Sequence, residues 1–180
     1  MNELDFHPNV LSLEYVKEHG ILYAEDVFYC EDYEWEVLCD RAPERGGKPF
    51  TGLLYELDMK GNLRYYKYYK EGFGDGEYVS FYNTGAIASY CIMKGAAFVG
   101  KLYEWHRNGK LKSFKEVDDK RRHIKTVKLD NDGNIIFLME KGKVKVDKGW
   151  VKVEISEMQE RFLKQQYELR DMIRTEDVFD

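Results

Sequence analysis

The chain has 180 residues, 15% aromatic residues and a formal net charge of −5, which fits one domain or one elongated array of repeats. Its opening is acidic, and no apolar run approaches the ~20 residues of a membrane helix, so the sequence argues against a signal peptide and a transmembrane segment. The odd set of cysteines, Cys30, Cys39 and Cys91, favours reduced thiols in a cytoplasmic protein, with a Cys30–Cys39 bridge as the alternative.

The net charge conceals an asymmetry along the chain. Residues 1–60 carry 14 acidic and 5 basic side chains (net −9), whereas residues 61–150 carry 18 basic and 11 acidic ones (net +7). Residues 151–180 carry 5 basic and 8 acidic side chains (net −3). An acidic front and a basic middle give the molecule a field that can steer a charged partner.

The N-terminal region is predicted to form leading strands. Residues 8–20 are ambiguous, because their apolar residues alternate as in a strand while a proline near the start can open a short helix; we predict a strand. Residues 21–29 and 33–39 predict two further strands around a turn. Residues 41–48 contain proline and glycine and predict a loop.

Residues 25–44 form the most one-sided segment of the chain, with eight acidic side chains against the single basic Arg41. The simpler interpretation is a solvated edge strand that its charges protect from aggregation. The functional interpretation is an acidic surface with aromatic anchors that covers a basic cleft of a partner protein. The candidate partner-binding residues are Glu31, Asp32, Glu34, Trp35, Glu36 and Asp40.

A period of 24 residues organises the chain from Gly52 to about Met139. The first glycine of each copy is followed nine residues later by a second one. The second glycine lies between two runs of alternating aromatic and polar residues, which predicts a β-hairpin whose turn needs positive φ. Stacked copies of one hairpin predict an extended antiparallel meander. The two glycine series are Gly52, Gly76 and Gly100, and Gly61, Gly85, Gly109 and Gly133.

The turns that join successive hairpins change along the chain. Glycine stands in the first two, at Lys70-Glu71-Gly72 and Met93-Lys94-Gly95, but Asp118-Asp119-Lys120 has none. We therefore expect the repeat to decay toward the C-terminus.

The pattern resembles the MORN repeat (membrane occupation and recognition nexus), in the variant seen in bacterial toxin–antitoxin repeat proteins. The residues that carry the resemblance include Lys48-Pro49-Phe50-Thr51-Gly52, Gly74-Asp75-Gly76 and Asn108-Gly109-Lys110-Leu111. The family implies a twisted single-layer sheet of hairpins. It also implies an antitoxin or immunity protein that blocks a cognate toxin, although such repeats are scaffolds that serve more than one function.

Residues 120–128 are the basic counterpart of the acidic segment. Lys120, Arg121, Arg122 and Lys125 could meet phosphates or anionic lipid. We favour the simpler interpretation, a repeat junction whose cations point outward, because short basic runs are weak motifs. The tyrosines of residues 65–69 could stack on single-stranded nucleic acid, but packing within the sheet explains them more simply. We predict no nucleic-acid partner and no stable membrane insertion.

The C-terminal region changes character after a predicted last strand at residues 150–153. A capping-box pattern at Ser156 and an apolar stripe at helical spacing predict a helix over residues 157–174 that caps the sheet, with a dimerising helix as the alternative. The fold predicted is therefore mainly β: a single-layer twisted antiparallel sheet of repeated β-hairpins with a C-terminal capping α-helix. One continuous domain would comprise residues 1–49 as an acidic cap, 50–140 as the repeats and 141–180 as the last strand and helix.

Signals of catalysis are absent from the sequence. No His or Cys pair has metal-ligand spacing, and the glycine-rich residues 72–76 lack the Lys-Ser/Thr ending of a phosphate loop. We predict no metal, no cofactor and no enzymatic activity. The predicted function is a monomeric cytoplasmic immunity protein or antitoxin that covers the basic active-site cleft of a protein toxin. A repeat scaffold or membrane-associated protein that uses residues 120–128 is the alternative.

Overall fold

The computed structural model describes residues 3–23, 28–30, 37–42, 45–141, 143–146 and 149–152. Within these ranges the chain forms a short 3-10 helix, one α-helix and thirteen strands. They are the 3-10 helix Glu3–Asp5, α1 Leu13–His19, β1 Gly20–Leu22, β2 Phe28–Cys30, β3 Val37–Cys39, β4 Gly52–Leu57, β5 Leu63–Lys70, β6 Phe73–Phe81, β7 Ile87–Lys94, β8 Ala97–Trp105, β9 Leu111–Val117, β10 His123–Leu129, β11 Ile135–Glu140, β12 Lys143–Val146 and β13 Gly149–Lys152.

Eleven of these strands form one open sheet in the order β1-β4-β5-β6-β7-β8-β9-β10-β11-β12-β13. β1 runs parallel to β4, and the other neighbouring pairs are antiparallel. β2 and β3 form a separate antiparallel pair. The predicted mainly β fold with a single, largely antiparallel sheet is confirmed, and the parallel edge strand is an addition that the sequence pattern did not predict.

The 24-residue period appears in the structure as a series of five-residue turns that begin at Asp58, Tyr82, His106 and Asp130. In each turn the first residue's N–H donates to the carbonyl of the fifth, and the glycine N–H donates back to the carbonyl of the first. The glycines of these turns have φ between 80° and 92°. These values lie in the left-handed region, which favours glycine. The predicted role of the second glycine series is confirmed.

The glycine-free junction between β9 and β10 adopts the five-residue turn of the hairpins, whereas two residues join β5 to β6 and β7 to β8. Asp118 N–H donates to the carbonyl of Arg122 at 3.0 Å, and Arg121 N–H donates to the carbonyl of Asp118 at 2.9 Å. Arg121 takes the position of the glycine with φ 60°. The Asp118 carboxylate accepts hydrogen bonds from the N–H groups of Lys120 and Arg122, as Asp and Asn side chains do in Asx turns. Loss of the glycine therefore does not disrupt the backbone here.

The first glycine series marks β-bulges. The pairing of β5 with β6 shifts register near Gly76, and the pairing of β7 with β8 shifts near Gly100. Their φ values are 123° and 68°, and a Cβ at Gly76 would lie 3.0 Å from the Cβ of Tyr68. A bulge increases the local twist of a strand, so these glycines shape the sheet rather than its turns.

The N-terminal segment lies across one face of the sheet, which we call the strapped face. Leu4 and Phe6 pack on a cluster contributed by β8, β9 and β10. Farther along, Val16 of α1 is fully buried against a cluster from β4, β5 and β6. We call this N-terminal segment, residues 3–19, the strap. It crosses the sheet from the later repeats back to the first one.

The strand predicted over residues 8–20 is wrong at Leu13–His19, which is helical. Ser12 caps this helix, because its Oγ accepts a hydrogen bond from the N–H of Tyr15 at 3.2 Å. Burial of Val16 then fixes the helix on the sheet. The local cap and this tertiary contact outweigh the alternation of apolar residues that favoured a strand.

The predicted strand over residues 21–29 is divided. β1 (Gly20–Leu22) joins the main sheet beside β4, whereas β2 (Phe28–Cys30) pairs with β3 (Val37–Cys39). Cys39 takes part in a disulfide bond, contrary to the expectation of reduced thiols, and Cys91 is a buried free thiol.

The predicted C-terminal helix at residues 157–174 lies outside the described residues. The α-helix that the structure does describe lies near the start of the chain, so the C-terminal capping helix is not supported. The division into residues 1–49, 50–140 and 141–180 stays a prediction.

Candidate partner-binding surface

The acidic segment is only partly described. Glu31, Asp32, Glu34, Trp35 and Glu36 lie outside the described residues. Asp40 is half-buried, and its Oδ1 accepts a hydrogen bond from the N–H of Lys48 at 2.9 Å. This bond lowers the pKa of Asp40, and the neighbouring Arg41 adds to the effect. Asp40 therefore closes the loop between β3 and β4, and its predicted role in partner binding stays a prediction.

The strands that flank the acidic segment are anchored to the first repeat. Leu38 N–H donates to the carbonyl of Gly72 at 3.1 Å, and Gly72 N–H donates to the carbonyl of Phe50 at 2.8 Å. A Cβ at Gly72 would lie 2.2 Å from a methyl group of Val37, so only glycine fits this approach. β3 is therefore fixed to the turn between β5 and β6.

The basic candidates do not form one free patch. Arg122 forms an ion pair with Asp118 at 2.7 Å, and the Arg121 guanidinium donates to the carbonyl of Lys94 at 2.9 Å. Lys125 lies on the strapped face, where its Nζ is 3.1 Å from a carboxylate oxygen of Glu3. Lys120 is exposed and is the one of the four candidates whose side chain forms neither an ion pair nor a hydrogen bond among the described residues. This arrangement does not favour a lipid- or phosphate-binding role.

The opposite side of the sheet, which we call the open face, carries two cross-strand rows of side chains. Successive members of each row lie directly opposite one another on neighbouring strands. The first row is mostly polar and consists of Glu56, Tyr65, Ser80, Ser89, Glu104, Ser113, Lys128 and Phe137. The second row consists of Leu54, Lys67, Tyr78, Cys91, Leu102, Lys115, Thr126 and Met139.

One end of the open face is covered. Leu54 is fully buried by Leu38 and Phe50, with Ile21 and Tyr23 packed beside them. In the part of the chain that the structure describes, no helix or further strand packs over β6 to β10 on this side. Lys67 on β5 keeps partial exposure, so the accessible part of the open face runs from Lys67 to β10 as far as the described residues define it.

The centre of the open face is an internally paired polar group. Ser113 donates a hydrogen bond to the carboxylate of Glu104, and Lys115 Nζ lies 3.4 Å from the same carboxylate. Burial alone would raise the pKa of Glu104, but the positive charge of Lys115 and the hydroxyl of Ser113 lower it overall. Beside this group the Ser80 and Ser89 hydroxyls share a hydrogen bond at 2.6 Å.

Two lysines of the open face have no carboxylate partner among the described residues. Lys67 Nζ lies 4.5 Å from the ring centroid of Tyr69, and Lys128 Nζ lies 5.6 Å from that of Phe137. Both side chains are half-buried. Burial lowers the pKa of Lys67, because the charged ammonium loses hydration that no anion replaces.

Sequence reasoning missed these rows, although the period contains them. Glu56, Ser80, Glu104 and Lys128 are spaced 24 residues apart, and so are Lys67, Cys91, Lys115 and Met139. Applying the period to every position, rather than to glycines and apolar residues, would have placed each set in line across the sheet. The chemistry changes along each set, so no residue motif marks it.

Other classes of site find no support in the described ranges. They contain no group of three or more His, Cys, Asp or Glu side chains that could hold a metal ion. No helix among them is long and apolar enough to cross a membrane.

Comparison with curated proteins finds a similarity to an immunity protein over part of the chain. The chain is 35% identical over 68 residues to the immunity protein YwqK of Bacillus subtilis (strain 168). The aligned part is 38% of this chain and 42% of YwqK, so the match spans less than half of the relative's length. This similarity supports an immunity-protein-like relationship.

Two further comparisons add no functional argument. No protein-family model matches the chain, so the resemblance to the MORN repeat stays a prediction. A crystal structure of accessory secretory proteins 1, 2 and 3 from Streptococcus pneumoniae aligns with 81% of this chain and 23% of that chain, at 15% identity and a TM-score of 0.29. A score this low carries no conclusion about shared fold or function.

Proposed function

We propose that this chain is a non-enzymatic immunity protein or antitoxin that binds a cognate bacterial protein toxin and covers its active site. The observation that carries the proposal is the similarity to the immunity protein YwqK. The wide sheet, with paired polar groups and no metal cluster among the described residues, suits a binding role. In this proposal the chain acts as a cytoplasmic monomer and needs neither a cofactor nor nucleic acid.

The proposed mechanism uses the acidic segment. Residues 31–36 combine four carboxylates with Trp35, and the flanking β3 is hydrogen-bonded to the β5–β6 turn. The acidic side chains would meet a basic active-site cleft of the toxin. Charge would accelerate association, and the aromatic side chain would slow dissociation.

A pair of charge reversals tests this mechanism. Glu34→Lys/Glu36→Lys should weaken toxin binding by about a hundredfold and flatten its salt dependence, because two attractive contacts become repulsive. The measurement is calorimetric titration of the toxin at two salt concentrations.

The matched control is Glu18→Lys/Asp132→Lys, which makes the same change in net charge at exposed positions on α1 and on a hairpin turn. It should change the affinity by less than about threefold. If the two double variants lose the same affinity, net charge rather than the acidic segment governs binding, and this mechanism is wrong.

A further inference from the structure

The strapped face shows how this sheet holds a polypeptide segment. The carboxylate of Glu3 lies 2.7 Å from Lys101 Nζ and 3.1 Å from Lys125 Nζ. The two ammonium groups lie 5.9 Å and 5.8 Å from the ring centroid of Phe114. One carboxylate from a crossing segment thus neutralises two lysines that share an aromatic ring.

Apolar contacts complete this attachment. The Phe6 ring centroid is 4.4 Å from that of Tyr103 and 5.3 Å from that of Tyr90. Leu4 packs on the same cluster. Four consecutive residues, Glu3-Leu4-Asp5-Phe6, therefore supply both the carboxylate and the apolar anchors that this face binds.

The open face repeats the receiving half of this arrangement. Lys67 and Lys128 each lie near an aromatic ring, as Lys101 and Lys125 do. In the residues that the structure describes, no Asp or Glu approaches either of them within ion-pair distance. The two sites differ in that Lys101 and Lys125 share the carboxylate of Glu3, whereas the Glu104 carboxylate of the open face pairs with Lys115 and leaves Lys67 and Lys128 without one among the described residues.

We propose that the open face binds an acidic segment of the partner protein that carries aromatic or aliphatic residues, with one carboxylate at Lys67 and another at Lys128. The inference rests on the proposed function only for the identity of that partner, the toxin. Neither lysine belongs to the acidic segment at residues 31–36. The complex would have two contacts of opposite charge, which would fix the orientation of the partner.

The geometry defines the segment further. Lys67 lies on β5 and Lys128 on β10, five interstrand steps apart, which corresponds to roughly 24 Å at ~4.8 Å per step. An extended chain spans that distance in about seven residues at ~3.4 Å each. Glu104 lies between the two lysines on β8 and would repel a central carboxylate. The best ligand therefore has acidic residues at its ends and uncharged, apolar ones in its middle.

A synthetic peptide tests the proposal without a toxin. The probe is a fluorescein-labelled eight-residue peptide with Glu at both ends and Leu, Phe and Ser between them. Its control has Gln in place of each Glu. Fluorescence anisotropy with the full chain should show binding of the Glu peptide, and about tenfold weaker binding of the Gln peptide, because the charged contacts are lost.

Two lysine pairs locate the site. Lys67→Met/Lys128→Met should weaken binding of the Glu peptide by about tenfold, whereas Lys60→Met/Lys70→Met, which removes two exposed charges elsewhere, should change it by less than about twofold. Equal losses in both pairs, or equal binding of the Glu and Gln peptides, overturn the proposal.

A second measurement uses the unaltered chain, so it does not depend on how the variants fold. Reductive methylation followed by mass spectrometry should show that the Glu peptide protects Lys67 and Lys128 but leaves Lys60 and Lys70 reactive. Absence of that selective protection rejects the site. Failure of the proposed function would appear instead as no toxin partner in cells, whatever the peptide does.

Discussion

Lysines on the two faces of the sheet differ in whether a carboxylate neutralises them. On the strapped face, Lys101 and Lys125 share the carboxylate of Glu3, and hydrogen bonding with Glu3 raises the pKa of Lys101. On the open face, burial lowers the pKa of Lys67, and no described carboxylate offsets the effect. The same repeat scaffold thus presents one lysine pair that a carboxylate neutralises and, on the other face beside the Lys115–Glu104 pair, two lysines without a carboxylate partner among the described residues.

The repeat fixes the backbone and the positions of the side chains, but it does not fix which side chains occupy those positions. Both faces come from the same strands and the same bulges, so the spacing of their side chains is equivalent. What differs is a segment from outside the repeats, residues 3–19, that covers one side. Function on such a scaffold depends on which face the chain itself leaves accessible.

The largest expected effect concerns the core beneath the strap. Phe114→Ala should lower the free energy of unfolding by about 3–5 kcal/mol, because this fully buried ring packs in the Tyr103 cluster and lies near the ammonium groups of Lys101 and Lys125. Urea unfolding followed by fluorescence measures it. Phe73→Ala, at a ring that is 40% exposed, is the control and should cost less than about 1 kcal/mol. Similar losses at the two positions would show that the strapped face is not the core.

The second largest effect should come from loss of the hydrogen bonds between the strap and the sheet. Tyr66 hydroxyl donates to the carboxylate of Glu77 at 2.6 Å and accepts from Leu11 N–H at 3.2 Å. Tyr66→Phe should therefore cost about 1–2 kcal/mol in the free energy of unfolding, since it leaves both partners unsatisfied. Hydrogen exchange should also quicken at Leu11 more than at the sheet amides. Unchanged exchange at Leu11 would mean that this bond does not hold the strap.

The Glu3 bridge should give a smaller, pH-dependent effect. Hydrogen bonds from Lys101 and Lys125 lower the pKa of Glu3 below its ordinary 4.5. A lowered pKa in the folded state stabilises the protein above the unfolded pKa, and this contribution is lost as the pH falls through the folded value.

Glu3→Gln should accordingly destabilise the chain by less than about 1 kcal/mol at pH 7, because these side chains are partly solvated. The difference from the unaltered chain should shrink as the pH falls below 4.5, through the lowered pKa of Glu3 in the folded state. Thermal unfolding at several pH values measures it, and a difference that persists in acid would contradict the bridge.

The smallest effect should have the opposite sign. Lys67→Met should raise the free energy of unfolding at pH 7 by about half a kcal/mol, because it removes a half-buried charge without an anionic partner. A lowered lysine pKa destabilises the folded state below the folded pKa, and the loss is recovered as the pH rises toward 10.5. The advantage of Lys67→Met should therefore shrink at high pH. Destabilisation by this variant would show that Lys67 already has a stabilising partner.

Glycine positions and strand alternation were sufficient to predict the antiparallel part of the sheet that the repeats form, but not its parallel edge strand β1. Gly61, Gly85, Gly109 and Gly133 occupy turns that require positive φ, a constraint that acts locally and can be recognised in sequence. The strap could not be predicted in this way, because the position of Leu4 and Phe6 depends on contacts with residues about a hundred positions later. The helix at Leu13–His19 was missed for the same reason.

The candidate surface was less predictable than the fold. Lys125 looked like part of a free basic segment, yet Glu3 from the far end of the sequence neutralises it. Lys67 looked like an ordinary strand lysine, and its exceptional environment depends on Tyr69, on the close approach at Gly74 and on the absence of a carboxylate among its described neighbours. Charge environment depends on pairing across strands, which spacing reveals only after the register is known.

The most direct test of the central proposal is co-expression of this chain with the protein encoded immediately upstream of it in its native genome. We predict that the upstream protein alone arrests growth, that the pair grows normally, and that the two purify as a stoichiometric complex. Normal growth with the upstream protein alone and no complex, or arrest that this chain does not relieve, would contradict the immunity function.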